Sequence, residues 1–564
     1  MRRPSICFYF SLFSLILLCT RLTGALSDPA LSDDRKLSIE KPAKNKINTS
    51  AEYFEKQISL QGEQALDLAR QLRRISGHPK QAFNVDAFGD VPNSSWFTNR
   101  NGKTPMSIDD LIQGPNTSNG PDTSSAWTIT RAKLEGVTPG FSIIDSNGES
   151  YVIKFDPMDY PELPSGAEVI STKLFYAAGY NTPENYITWF KPEKLKLGDQ
   201  VNFIDIKGRE RYMIRADIDE ILKRVPKASN GMIRGLASKY LPGSILGPFR
   251  YSGARKDDPN DIVPHEHRRE LRSLRILCAW LNHFDTKDGN TLDTYVEENG
   301  VHFVKHYLID FGATLGSASW GPNHRWRGHE NDFDPVEIVK TVATLGLYIK
   351  PYEKLPLPRY PSVGLFESAE FHPESYKQQV PNPAFENMTS LDGYWAAKIV
   401  MSFTDEQLAA VVNQAQYSDP DAASYILKTL IERRDKVGRH YFNLVTPLDN
   451  IRIDKTKLYF DDLAIRTRLA FAENTRYHYE VYCNGEFLFE DTMSGSNHSF
   501  SLLNRYIMSR FMNMKNDSSA KQFLWTYRIQ LQRFNGDQSK WVYVYVLSNQ
   551  ALTKFRLIGV QHDG

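Results

Sequence analysis

The segment NHFDTKDGN, residues 282–290, places His283, Asp285, Lys287, Asp288 and Asn290 directly after an apolar-striped stretch, LRSLRILCAWL. Moving a phosphoryl group requires a base beside the attacking hydroxyl, cations that spread the phosphate charge, and oxygen ligands that hold a metal. Asp285 can accept the proton, Lys287 lies on the same side two residues on, and Asn290 can offer its side-chain oxygen to magnesium. Further along, YLIDFG sets Asp310 after an apolar run, the placement expected of a second metal ligand. The intervening TLDTYVEENGVHFVKHYLID reads as two strands about the turn Asn299-Gly300. Such a hairpin brings Asn290 and Asp310 back toward one another.

Several elements must position these groups. Leu271, Leu274, Leu277, Leu281 and Phe284 recur at spacings of three and four, one buried helical stripe leading into the loop. Upstream, WTITRAKLEG, GFSIIDS and SYVIKFD read as strands, the last two joined by the hairpin signal Asn147-Gly148. A helix is predicted at about 166–178, with Ser165 as cap, Glu168 completing a capping box and Gly179 as the stop. ENYITWF and RYMIRADI are read as further strands, giving a small sheet with a helix against it. Helices are predicted at 404–416, opened by a capping box from Thr404 to Gln407, and at 420–437, opened by Ser418-Asp419-Pro420. Residues 448–564 return to alternating strand-like runs, the pattern of a separate antiparallel β domain. Residues 26–80 read as a polar mobile arm followed by a packing helix, and the stretch to 126 as loop-rich surface.

A chain of 564 residues exceeds one ordinary core, so two or three domains are expected. With 68 Lys plus Arg against 67 Asp plus Glu, the formal charge of +1 offers no overall attraction for nucleic acid or an anionic membrane. The first residues carry Arg2 and Arg3, an apolar run to Cys19, and the small-residue site Thr23-Gly24-Ala25, the layout of a secretory signal ending at residue 25. An uncleaved anchor is the alternative; no later segment is long and apolar enough to cross a bilayer. Removal of the signal leaves Cys278 and Cys483, too few for a disulfide framework, and Cys278 is expected in a buried helix. A secreted chain with so few cysteines suits the periplasm or cell surface of a bacterium.

HFDTKDGN resembles the catalytic loop HRDLKPEN of protein kinases, keeping His283, Asp285, Lys287 and Asn290 at matching spacing, and DFG at 310–312 matches their metal-binding triplet. The longer IDFGATLGS is similar to the corresponding stretch of phosphoinositide kinases and other atypical kinases. The resemblance implies an atypical member of the protein-kinase-like superfamily: an α+β, two-lobed fold with a small β-rich lobe at 127–225 and a larger helical lobe at 226–447, followed by the β domain at 448–564. It implies ATP with Mg or Mn as cofactors, Asp285 as catalytic base, Lys287 near the transferred phosphate, and Asn290 and Asp310 on the metal. Lys154 in YVIKFD would grip the nucleotide phosphates with Glu168 as its helix partner, and Gly136 and Gly140 would form the phosphate-covering turn. The acceptor would be a hydroxyl of a protein, sugar or lipid. Three departures stand out: Phe284 replaces the loop arginine, no A-P-E triplet follows the DFG, and EGVTPGF has two glycines rather than three.

Other readings stay open on the residues alone. Lys154 can be an exposed strand lysine, and Glu168 can serve only the capping box. A nucleotide- or ligand-binding pseudokinase of the cell envelope is the alternative function. Arg268, Arg269 and Arg272 read as a solvated helix face, or else reach phosphate or the acidic DDPND upstream. His265 and His267 lack the spacing of a zinc motif. Trp525, Tyr527, Trp541, Tyr543 and Tyr545 read as core or cross-strand aromatics, with a carbohydrate-binding face as the alternative. Trp320, His324 and Trp326 either wall a substrate pocket or simply pack.

Overall fold

The computed structural model describes residues 37–46, 49–132, 140–204, 209–515, 522–533, 536 and 538–564. The predicted signal segment with Cys7 and Cys19, and Gly136 of the expected phosphate-covering turn, lie outside the described residues. The amino-terminal arm is helical: α1 (Thr49–Phe54) passes through a π-helical turn, Glu55–Ser59, into the helices Leu60–Leu66 and Leu68–Ile75.

Alternation of large apolar residues builds a six-stranded sheet from β1 (Trp127–Ala132), β2 (Gly140–Ile144), β3 (Ser150–Lys154), β4 (Asn185–Phe190), β5 (Leu195–Leu197) and β6 (Ile233–Lys239). The order is β4-β6-β3-β2-β1-β5, with only the β1–β5 pair parallel. Trp127, Ile129, Phe141, Ile143, Tyr151 and Ile153 form its core. Central β6 escaped the sequence reading: IRGLASK offers little alternation because most of it is buried.

Helix α2 (Leu163–Ala178) is buried along nearly its whole length. Its expected capping box does not form. The N-cap is Glu162 at φ 68°, and Ser165 lies inside the helix. Asp156, two residues beyond Lys154, accepts from the backbone N–H groups of Glu162 and Ser165 at 3.0 and 2.9 Å and from the Ser165 hydroxyl at 2.7 Å. An acceptor just beyond the preceding strand thus satisfies the helix start, and Glu168 takes no part in the cap.

RYMIRADI is corrected too: only Glu210–Tyr212 is strand, and Arg215–Lys223 is a helix. Ile218, Ile221 and Leu222 bury one helical face, and the Asp217 carboxylate accepts from Ile214 N at 2.8 Å at the helix start. The helical period outweighed the β-branched content.

Beyond the sheet, α3 (Arg269–Leu281) packs with α4 (Ser390–Val400) and α5 (Pro420–Leu444) around a core that includes Trp280, whose Nε1 donates to Leu430 O at 2.9 Å. Cys278 is buried there as expected. The capping box from Thr404 to Gln407 and the Asp419 cap before Pro420 both form, although α5 continues past residue 437. A three-stranded sheet joins β7 (Ser244–Gly247), which precedes the loop, to β8 (Thr291–Glu298) and β9 (Val301–Leu308), which follow it, and Asn299 and Gly300 turn at φ 53° and 77°.

The basic residues at the start of α3 are not solvated. Arg268, Arg269 and Arg272 are buried; Arg268 pairs with Asp261, within DDPND, at 3.2 Å, while Arg269 and Arg272 reach Asp392 at 3.0 and 3.4 Å. Buried charges need such partners.

The carboxy-terminal residues form antiparallel sheets with a core of their own, in which Trp525 and Tyr527 are buried. Trp541, Tyr543 and Tyr545 alternate onto the half-exposed face, where the Arg528 guanidinium lies 4.4 Å from the Trp541 ring centre and 5.5 Å from that of Tyr543. Among the described residues no helix is long and apolar enough to cross a membrane.

Three histidines make this packing sensitive to acid. Burial pushes the rings of His267, His329 and His562 down to about 4, with Arg272 next in effect on His267 and Arg433 on His329. The unfolded chain titrates these groups near 6.5, so between pH 6.5 and 4 it binds more protons than the folded one. Their stability contribution is full above about pH 6.5 and is lost as pH falls through that window. The thermal midpoint should therefore drop between pH 7 and 4.5, and His562→Gln should shallow that drop; a midpoint flat across this range would refute the assignment.

Candidate phosphotransfer site

Four segments meet at the site: the end of β3, the middle of α2, the loop after α3, and the turn after β9. Lys154 ends β3, its backbone paired with Gly140 on one side and Leu236 on the other. Its Nζ donates to Glu168 Oε1 and Oε2 at 2.8 and 3.0 Å and to Asp310 Oδ1 at 2.9 Å. Lys154 is therefore not a solvent-facing strand lysine. Burial disfavours its charge, yet the Asp310 and Glu168 carboxylates outweigh that cost and hold the ammonium well above the ordinary lysine value. The Glu168 side chain is 3% exposed and that of Asp310 52%. One carboxylate is thus a fixed buried partner, and the other stands open at the surface.

Asp310 occupies φ 63°, a left-handed conformation uncommon outside glycine. Local packing holds it there. Phe311 is fully buried and stacks on Phe175 of α2 with ring centres 4.9 Å apart. The Thr314 hydroxyl donates to Phe311 O at 2.8 Å and meets the Ser171 hydroxyl of α2 at 2.7 Å. Between them, a Cβ built on Gly312 would lie 3.4 Å from Glu168 Oε2. Helix α2 and the DFG turn are thus bound by an aromatic stack, a hydroxyl pair and the shared Lys154. No sequence signal marked Ser171 or Thr314, since small hydroxyl residues in a buried helix and a turn are common.

The loop 282–290 is held equally closely. Asn282 ends α3 at φ 50°, reversing the chain. His283 is buried, its Nδ1 meeting Ala313 O at 3.2 Å, and burial pushes its pKa below the ordinary histidine value. His283 is a neutral internal tie between loop and DFG turn. Asp285 Oδ2 accepts from Lys287 Nζ at 3.1 Å. Asn290 Nδ2 donates to Asp285 O at 2.7 Å, and Ile309 N donates to Asn290 O at 3.1 Å. The β8–β9 hairpin, in register at Thr291 and Leu308, therefore returns the chain beside Asn290 just before Asp310.

These donors suit a hard divalent cation, because a half-exposed carboxylate from Asp310 and an amide oxygen from Asn290 are the oxygen ligands such ions take. The Asn290 amide nitrogen is engaged by Asp285 O, which leaves its oxygen as the group to offer. Gly140 pairs across the sheet with Lys154.

After the DFG, the Arg327 guanidinium lies over the rings of Trp326 at 3.9 Å and Phe284 at 5.0 Å, and pairs with Asp332 at 2.7 Å. His324 stacks on Trp326 and Trp320 is half-exposed. A cavity of about 200 Å³ lies behind this segment, lined by Asn282, Arg327, His329, Lys350 and Arg433, and not by Lys154, Asp285, Asn290 or Asp310.

No protein-family model matches the chain, and no curated protein does. Among solved structures it is similar to a proinflammatory kinase of Helicobacter pylori, CtkA, at 11% identity, covering 54% of this chain and 94% of that one with a TM-score of 0.29. It is similar also to the Golgi casein kinase, at 14% identity over 74% of this chain and 93% of that one, TM-score 0.29. The same kinase with Mn and ADP bound gives 13% identity, 74% and 92% coverage, and a TM-score of 0.27.

Proposed function

We propose that the chain is an atypical kinase that transfers the γ-phosphoryl group of ATP to a hydroxyl of a protein, sugar or lipid acceptor. The observation that carries this reading is the convergence of Lys154 with Glu168 at 2.8 Å and Asp310 at 2.9 Å. Lys154 and Glu168 lie 14 residues apart on a strand and a helix, and Asp310 lies 156 residues from Lys154 in a turn. A purely structural buried pair needs one carboxylate; the second, half-exposed one is suited to a ligand.

Lys154 binds the nucleotide phosphates, and Glu168 keeps its amine aimed at them. Asp285 accepts the proton of the acceptor hydroxyl as the bond from that oxygen to phosphorus forms and the bond to the ADP oxygen breaks. Lys287 lies beside the phosphate in transfer. Asn290 and Asp310 would hold Mg or Mn, which supplies charge neutralisation on the phosphate oxygens when bound. Phe284 and Arg327 fill with a stacked pair the place where conventional kinases carry the loop arginine, which supports a site independent of activation-loop phosphorylation. We place the mature chain outside the cytoplasm, at the periplasm or cell surface of a bacterium, on the strength of its first 25 residues.

The test is ligand-induced thermal stabilisation. Under saturating ATP with Mg or Mn the unfolding midpoint should rise, corresponding to roughly 2.7 kcal/mol at a hundredfold excess over Kd. Asp310→Ala should abolish the metal-dependent part. Binding without turnover on any acceptor would favour the pseudokinase reading; no shift with any nucleotide would sink both.

A further inference from the structure

The amino-terminal arm enters the phosphotransfer loop with charges that the site chemistry does not use. Glu52 and Lys56 lie one turn apart where α1 passes into the π-helical turn, and both are buried, at 8% and 6% exposure. Lys56 Nζ donates to Glu52 Oε1 at 2.9 Å and to Asp288 Oδ1 at 2.5 Å. Asp288 N donates to the same Glu52 oxygen at 3.0 Å, and Tyr251 N to Asp288 Oδ1 at 3.3 Å. The arm therefore grips both the backbone and the side chain of the residue between Lys287 and Asn290.

Asp288 opens a one-turn 3-10 helix, Asp288–Asn290, that ends on Asn290. On the loop's other flank, Gln57 Nε2 donates to Gln379 O at 3.1 Å, while Gln379 N donates to Phe284 O at 2.8 Å. Phe333 N donates to Gln57 Oε1 at 3.3 Å, so the same turn also reaches the segment after the DFG. The contact falls on the irregular turn of the arm, and π-helical turns recur at functional sites. Lysine and glutamate are seldom buried unless paired, so this triad is a specific docking element and not a chance surface contact.

We infer that Lys56 is a positioning residue for phosphotransfer: the arm acts as a clamp that sets loop 285–290 through Asp288. This rests on the kinase reading above. It goes beyond that reading because the arm carries none of the resemblance to known kinases. The clamp touches neither Lys154 nor Glu168, so it separates turnover from nucleotide binding.

The experiment uses the full chain with Lys56→Met, Lys56→Arg and Glu52→Gln. Lys56→Met should lower kcat on the order of a hundredfold, as a misplacement of about an ångström does. KM for ATP and the ATP-induced thermal shift should stay within about twofold of the parent, and Lys56→Arg should restore most of the turnover. An unchanged kcat overturns the inference, as does a proportional loss of kcat and nucleotide binding, which a merely structural role predicts. If Lys56→Met fails to fold, Glu52→Gln takes its place with the same expectations. If the parent chain itself shows no turnover, the kinase reading fails separately. Hydrogen exchange then decides the clamp: amides 285–290 must exchange faster in the variant while those of β6 do not, and equal rates overturn it.

Discussion

Asp285→Ala is expected to cut turnover by about 10²- to 10⁴-fold, the range for losing a positioned general base, while leaving ATP binding intact. The reason is where Asp285 sits. Its carboxylate touches only Lys287 among the groups assigned to phosphate, and Lys154, Glu168 and Asp310 are assembled without it. Its backbone carbonyl, which holds Asn290, survives the substitution. Isothermal titration with ATP and Mg, alongside a steady-state ATP consumption assay, separates the two effects. Loss of binding and turnover together would show that the loop is structural.

Lys154→Met should act in the opposite sense, removing nucleotide binding and costing stability. Glu168 is 3% exposed, and Lys154 Nζ donates to both of its carboxylate oxygens, at 2.8 and 3.0 Å. Removing one partner of a buried ion pair costs about 3–5 kcal/mol. Urea denaturation should show a loss of that order. Combining Lys154→Met with Glu168→Leu should recover much of it, because two apolar side chains of similar volume can replace a buried ion pair at little cost. Binding should not return in the double variant. A single variant of parental stability would overturn the weight given to the Lys154–Glu168 pair.

The departures from conventional kinase motifs acquire a physical sense in the fold. Arg327 covers Phe284 and pairs with Asp332, and Gln379 N–H donates to Phe284 O, so the segment after the DFG is tied down by neutral and internal charge contacts. Under the proposed kinase reading, these internal ties stand in for ordering by an added phosphate.

What sequence alone determined were features that depend on near neighbours. The spacing of Asp285, Lys287 and Asn290, the Asn-Gly turns, the Thr404 cap and the helical stripe from Leu271 to Leu281 all follow from local geometry and apolar period, which a few residues specify, whereas Phe284 falls outside that helix, past the reversal at Asn282. Tertiary structure decided which partner each charge took. Ser165 and Glu168 have the local pattern of a capping box, yet Asp156 won the helix start and Lys154 won the glutamate. Arg268, Arg269 and Arg272 looked solvated because their acceptors, Asp261 and Asp392, are not on their own helix. Lys56 and Asp288 meet across a separation of 232 residues. Pairings of this kind are settled by competition among all the partners that folding brings within reach in a medium of low dielectric, and no local window contains that competition.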